Sequence, residues 1–264
     1  MRQLHKFVLS FTIPVVILAC VASAPVVAYQ GPAIPGAFKE CPQFFVNGAV
    51  PIVSSDSPGL QRALCFDAFA ILHSGQSKTP VYVVEKLNRA NLAEAKGRER
   101  TNRFYEEARL PFAERAQLAD YKSTDSLDQH YDRGHQSPAA DQPTMQAMVQ
   151  SFSLANMAPQ APENNRGIWA KSVEKPTRQY VARAQGDVYV FTGPHFVQPI
   201  DTLGPGKVWI PRQLFKLVYD ATTHRAWAYW AENTNDAKMS RPISYRELVA
   251  RTGIEFLPGV AVLP

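Results

Sequence analysis

The chain has 264 residues, 45% of them hydrophobic and 19% charged, enough apolar side chain to bury a full core, so a disordered or collagen-like polymer is excluded. Its 21 prolines, about 8% against a usual ~5%, favour a loop-rich fold over a helical bundle. A formal net charge of +5 is compatible with a polyanionic partner but does not establish one.

In chain order, Arg2 and Lys6 precede an apolar run over 7–24, followed by Pro25, Val26, Val27 and Ala28. A basic start, an apolar middle and a small residue before polar sequence read as a secretory signal over 1–28. The alternative is an uncleaved membrane anchor, against which Ser10, Thr12 and Pro14 weigh. Cleavage removes Arg2 and Lys6 and leaves +3. The expected location is secreted or periplasmic, with no stable membrane association after cleavage. Of three cysteines, Cys20 leaves with the signal and strands Cys41 and Cys65 as an even pair. In an exported chain such a pair is expected to form a disulfide, worth roughly 3 kcal/mol by loop entropy; two buried thiols are the alternative.

Residues 29–59 read as an N-terminal tether and entry segment, and 60–264 as one domain. Apolar runs at 64–72 and 79–87, separated by His73-Ser74-Gly75, predict an antiparallel hairpin. The polar stretch 91–128 carries short helical patches at 98–108 and 112–119. Residues 145–155 and 167–184 read as helices; 187–192, 207–210, 214–219 and 226–230 read as strands. Ser244, with Glu247 three residues on, predicts the start of a last helix over 244–252. The fold class expected is α+β, a central antiparallel sheet flanked by helices.

The densest chemistry lies in Asp132-Arg133-Gly134-His135-Gln136-Ser137-Pro138-Ala139. A histidine beside an arginine and an aspartate can act as general base with a cation for an anionic transition state. By residue type alone the same quartet also reads as a surface ion-pair cluster. His130 and His135 have no third ligand spaced for zinc. The stretch resembles the signature of the DNA/RNA non-specific endonucleases, the ββα-metal nucleases of Serratia-type and endonuclease G-like kind. Further matches follow in the family's order: Ser153-Leu154-Ala155-Asn156-Met157-Ala158-Pro159-Gln160, Asn164-Asn165-Arg166-Gly167-Ile168-Trp169, 188–194 and 252–256.

The resemblance implies a metal-dependent endonuclease that hydrolyses DNA and RNA without sequence preference, through phosphate contacts. Its ββα-metal motif would span roughly 131–184. His135 would be the general base and Asn165 the one direct protein ligand of a hydrated Mg²⁺, with Mn²⁺ as the other candidate. Arg103 would carry charge on the pentacoordinate phosphorus, and Arg133 would contact the scissile phosphate or the metal-site framework. Asn156 would hold the His135 loop and the substrate region, and Asp132 would orient its neighbours. A nucleic-acid-binding protein with a weakened site on the same fold is the alternative. A dedicated protein inhibitor has no signature in the residues. One departure from the family pattern stands out. The glutamate that steadies the metal's waters follows the helix tryptophan by four residues in relatives, but Glu174 follows Trp169 by five. A regular helix would turn Glu174 away by about 100°. A one-residue π-bulge would restore its direction and place Arg178 four residues after it.

Overall fold

Short apolar runs separated by turn residues build a seven-stranded antiparallel sheet. Its strands, in chain order, are β2 (Gln61–Cys65), β3 (Phe69–Ser74), β4 (Thr79–Leu87), β7 (Val188–His195), β10 (Gln213–Asp220), β11 (Arg225–Glu232) and β12 (Ile243–Ser244), arranged 12-11-10-7-4-3-2. Of these, β3, β4, β7 and β10 are buried nearly throughout. The structure, a computed structural model, describes residues 1, 36–122 and 130–263. The expected signal over 1–28 and the start of the tether lie outside the described residues, apart from Met1. Among the described residues no helix is long and apolar enough to cross a membrane.

The single strand expected over 64–72 is two strands. The chain reverses at Phe66–Ala68, where the Phe66 amide donates to the Phe69 carbonyl and the Phe66 and Phe69 rings stack at 4.5 Å. Gln150 holds the turn from outside, accepting from the Asp67 amide and donating to its carboxylate. A continuous apolar run hides such a reversal because Phe66 and Phe69 at the turn are themselves buried. The helical patches expected at 98–108 and 112–119 are irregular chain and short 3₁₀ turns. The α-helix of this region is instead α1 (Arg89–Ala95), capped reciprocally by Asn88 and Asn91.

Alternation along β10 assigns the two faces. Phe215, Leu217 and Tyr219 enter the larger core with Leu72, Tyr82, Phe191 and Phe256. Residues read as tether and entry reach the same core: Phe38, Phe44, Phe45 and Val53 are buried there, and β1 (Ile52–Val53) pairs with β13 (Ile254–Glu255). Cys41 and Cys65 are joined in a disulfide that ties this segment to β2. Helix α4 (Tyr245–Thr252) begins at Ser244, whose Oγ accepts from the Glu247 amide, and ends at Gly253, where φ of +66° suits glycine.

The opposite face carries Leu214, Val218 and Val190, and among them the buried polar side chains Glu85, Thr192 and Lys216. Over this face lie the two-stranded antiparallel pair β5 (Asp132–His135) and β6 (Met157–Gln160), helix α2 (Met145–Ser151), a π-helix (Asn164–Glu174) and helix α3 (Lys175–Val181). A further small pair, β8 (Thr202–Leu203) with β9 (Val208–Trp209), closes one end.

Candidate active site

β5 delivers the Asp-Arg-Gly-His segment by pairing Asp132 with Gln160, Gly134 with Ala158 and His135 with Met157. Glycine at 134 is a packing requirement: a Cβ there would lie 2.2 Å from the Gln160 Oε1. Gln160 in turn donates to the Asn164 Oδ1 at 2.8 Å, and Asn164 donates to the Glu232 carbonyl at 2.6 Å, anchoring the start of the π-helix to the sheet.

The His135 ring is wedged between Phe152, edge-on at 4.9 Å, and Phe104 at 5.6 Å. Two guanidiniums cap the same aromatic pair, Arg133 4.2 Å from the Phe104 centroid and Arg100 5.1 Å from that of Phe152. The imidazole Nε2 is buried with no hydrogen-bond partner. Burial first, then the Arg100 and Arg133 charges, push the His135 pKa down to about 3, against a backbone hydrogen bond to Arg133 that favours the proton. The ring is therefore neutral, with one buried nitrogen atom free.

Asn156 is fully buried and does not line the cavity beside His135. Its Oδ1 accepts from the Ser137 amide at 2.9 Å, its Nδ2 donates to the Ser137 and Ser151 carbonyls, and its own carbonyl accepts from the Gln136 amide. It staples the two residues after His135 to the end of α2. Ser137 continues the link, its Oγ donating to Glu85 at 2.8 Å. Glu85 is pushed up to about 8 by burial and then by Asp141, opposed by Lys216.

Asp132 accepts from Arg166 through two bonds, 2.8 Å and 2.5 Å, and from the Asn165 Nδ2 at 2.9 Å. A carboxylate can only accept from Arg166 and Asn165, so it fixes the amide's orientation and leaves the Asn165 Oδ1 for another partner. Glu174 lines the same cavity as Asn165. Nine residues are two and a half turns of an α-helix, which would set the two side chains on opposite faces. The segment is a π-helix over its whole eleven residues, rather than an α-helix with one inserted residue. With i→i+5 bonds a turn takes between four and five residues, so nine residues make about two turns. Arg178 lies 3.7 Å from Glu174 and donates to Asp141 at 3.0 Å. Burial raises the Glu174 pKa, with Asp141 adding to the shift, against Lys216 and Arg178.

These side chains surround a cavity of about 420 Å³, lined by Arg100, Asp132, Arg133, His135, Asn165, Arg166 and Glu174 among others. Arg103, expected to carry the phosphorane charge, is exposed and outside the lining; Arg100, three residues earlier, lines it. The basic run 98–103 marked the region, but which arginine turns inward depends on Phe152. Phe104, Phe152 and Arg166 had no signal beyond proximity to a motif, and the buried Glu85 and Lys216 had none.

The cavity offers a hard divalent cation oxygen donors, the Asn165 Oδ1 and the Glu174 carboxylate. Among the described residues no group of three or more His, Cys, Asp or Glu side chains could hold a metal. That donor set fits an ion that keeps most of its waters, as Mg²⁺ does.

The family described as DNA/RNA non-specific endonuclease matches residues 47–263. The chain is 31% identical over 156 residues to Nuclease 1, mitochondrial, of Schizosaccharomyces pombe, covering 54% of this chain and 46% of that protein. It is 29% identical over 206 residues to Endonuclease G, mitochondrial, of Bos taurus, covering 74% and 64%. The chain thus spans from about half to two thirds of the length of these relatives. A solved structure titled "Crystal structure of the EndoG/EndoGI complex: Mechanism of EndoG inhibition" shares the fold, with a TM-score of 0.67 at 22% identity over 87% of this chain and 94% of that one. The mitochondrial names overturn the secreted or periplasmic location expected from the N-terminus.

Proposed function

The chain belongs to the DNA/RNA non-specific endonuclease family, and from that premise we propose that it is a metal-dependent nuclease hydrolysing phosphodiester bonds of DNA and RNA without regard to base sequence. The observation that carries the reading is a neutral, buried histidine with an unpartnered nitrogen, facing one cavity with two arginines and the Asn165–Glu174 oxygen pair. Nucleases of this family are metal-dependent. Mg²⁺ is the ion we assign; Asn165 would hold it and Glu174 would steady its waters.

In the reaction, His135 accepts a proton from the attacking water, whose oxygen bonds to phosphorus while the bond to the 3′-oxygen breaks. A 5′-phosphate results, and the departing 3′-oxygen takes a proton from solvent water to end as the 3′-hydroxyl. Arg100 and Arg133 carry the charge that builds on the phosphorane oxygens; guanidinium suits this because it stays ionised and offers paired donors. We give Arg100 the role that the sequence resemblance assigns to Arg103, because Arg100 lines the cavity. Burial first, and then the same two arginines, hold His135 deprotonated in the free enzyme, and an incoming phosphate offsets the arginines' charge. When bound, the cation supplies Lewis-acid stabilisation of the departing oxygen. Asn156 positions His135 and does not touch substrate. From the relatives we carry over a mitochondrial location, and from the solved complex a protein inhibitor as partner class.

Relaxation of supercoiled plasmid and hydrolysis of ribosomal RNA, each with Mg²⁺ and with EDTA, test the reading. Both are expected with Mg²⁺ and neither with EDTA. His135→Ala is expected to cost 10²–10⁴-fold in kcat. Residual activity above about a tenth would remove His135 as the base, and binding without turnover by the wild type would return the weakened-site alternative.

A further inference from the structure

The catalytic cavity does not end at Arg100. A second groove of about 540 Å³ shares Arg100, Ala139 and Ala140 with it and runs between the C-terminal end of α1 and the exposed side of α3. Its lining adds four cations, Lys96, Arg98, Lys175 and Arg178, and no acidic side chain. Arg178 is engaged by Asp141, but no ion pair to Lys96, Arg98 or Lys175 is formed among the described residues. The Arg98 Nε is buried and has no acceptor. Between these charges the floor is apolar, built by Leu92, Ala95 and Met148.

We propose that this groove is a strand-binding subsite that seats the nucleotide flanking the scissile phosphate. Its phosphate rests on Lys96, Arg98 and Lys175, and its sugar and base lie over Leu92 and Met148. The inference rests on the nuclease reading and extends it. Three observations select a nucleic-acid strand over other occupants. The charge is uniformly positive and, Arg178 apart, forms no ion pair among the described residues, the groove opens directly into the site of phosphate chemistry, and the apolar floor demands a ligand that is more than an anion. The volume falls in the range of small-ligand clefts, about 300–1,000 Å³. No aromatic side chain lines it, so the subsite has no stacking platform. Gln179 is the one uncharged polar side chain in the lining, which leaves little with which to read base edges. Affinity here is therefore ionic, salt-sensitive and tolerant of sequence.

The test reads binding apart from cleavage. A fluorescein-labelled single-stranded 20-mer is titrated in EDTA, by anisotropy, against the wild type and Lys96→Glu/Lys175→Glu. Both lysines are exposed, so the reversals leave the core untouched. Lys39→Glu/Arg246→Glu makes the same charge change on exposed residues of segments that pack on the opposite face of the sheet. The groove variant is expected to bind at least tenfold more weakly, and the control variant less than threefold. The slope of log Kd against log salt should become shallower by about 0.7, the one phosphate contact on a single strand that the two lysines share. In Mg²⁺, kcat/KM for the 20-mer should fall at least tenfold further than kcat/KM for bis(p-nitrophenyl) phosphate, which has no nucleoside to seat. Equal weakening by both variants, an unchanged salt slope, or no binding by the wild type overturns the proposal. Groove-dependent binding without Mg²⁺-dependent cleavage would instead defeat the nuclease reading and leave the subsite standing.

Discussion

Deleting Ser172 is expected to leave an active enzyme, although it removes a residue from the helix that carries both Asn165 and Glu174. The π-helix places those side chains nine residues apart in one cavity. Without Ser172 the separation is eight. If the segment relaxes to i→i+4 bonding, eight residues at 100° leave the two side chains about 80° apart, close enough to share a site. Nine residues on an α-helix would leave them about 180° apart. The deletion also restores the spacing implied by the family resemblance, glutamate four residues after tryptophan. Packing favours the same outcome. Trp169 and Val173 are both buried in one cluster, and after deletion they stand three apart, still on one α-helical face. Ser172 itself is exposed, so its loss empties no core volume. Initial rates of plasmid relaxation in Mg²⁺ are expected within about fivefold of wild type, with the melting temperature unchanged or raised. Glu174→Ala should lose ten- to a hundredfold, in the range of lost partners that orient a metal's ligands. The same loss should appear when Glu174→Ala is combined with the deletion, and when an alanine is inserted after Ser172. A Ser172 deletion as inactive as Glu174→Ala, with a retained melting transition, would refute the argument that one extra residue is absorbed by π geometry. So would a fully active Glu174→Ala.

Asp132→Asn removes the charge that holds Arg166 and orients the Asn165 amide, so Mn²⁺ affinity should fall ten- to a hundredfold by electron paramagnetic resonance titration. Unchanged affinity would refute the orienting role. Stability should peak near pH 6.5. His135 and His73 have pKa values lowered to about 3 and about 4, chiefly by burial, so their contribution is complete above 6.5 and is lost as pH falls through 6.5 towards those values. Glu85, raised to about 8 by burial, contributes fully below its ordinary 4.5 and loses that contribution as pH rises to about 8. Each uncompensated proton changes stability by about 1.4 kcal/mol per pH unit. Urea unfolding from pH 5 to 8 measures both limbs, and Glu85→Gln should flatten the one above 6.5; a retained slope would exclude Glu85 as its source. Replacing Cys41 and Cys65 by serine should cost about 3 kcal/mol in the same assay, from a loop closed across a separation of 24 residues. A loss under about 1 kcal/mol would show that the segment is held by its core contacts alone.

What the sequence by itself determined is the part of this protein that rests on local chemistry. Short apolar runs bounded by glycine, proline and turn residues marked β4, β7, β10 and β11 as strands, because a central sheet takes side chains on both its faces out of water. Ser244 and Gly253 marked the two ends of α4 because orphan amides and a left-handed φ need those residue types. The Asp132–His135 segment and Asn165 were visible because their residue types and spacing match a family pattern, and the surplus of one residue before Glu174 was visible as an anomaly in a 3.6-residue period. Tertiary structure alone decided which arginine of the 98–103 run faces the cavity, since that depends on the Phe152 ring brought from another segment. It alone lowered the His135 pKa to about 3, because burial between Phe104 and Phe152 beside two cations is a property of the assembled environment and not of the residue. It folded one apolar run into two strands, and it put Lys216 and Glu85 beneath the site on the sheet face that carries Leu214, Val190 and Val218. Local pattern carries information about which groups must avoid water or cap a backbone. Proximity between residues distant in the chain, and the electrostatics that follow from it, exist only once the sheet has brought them together.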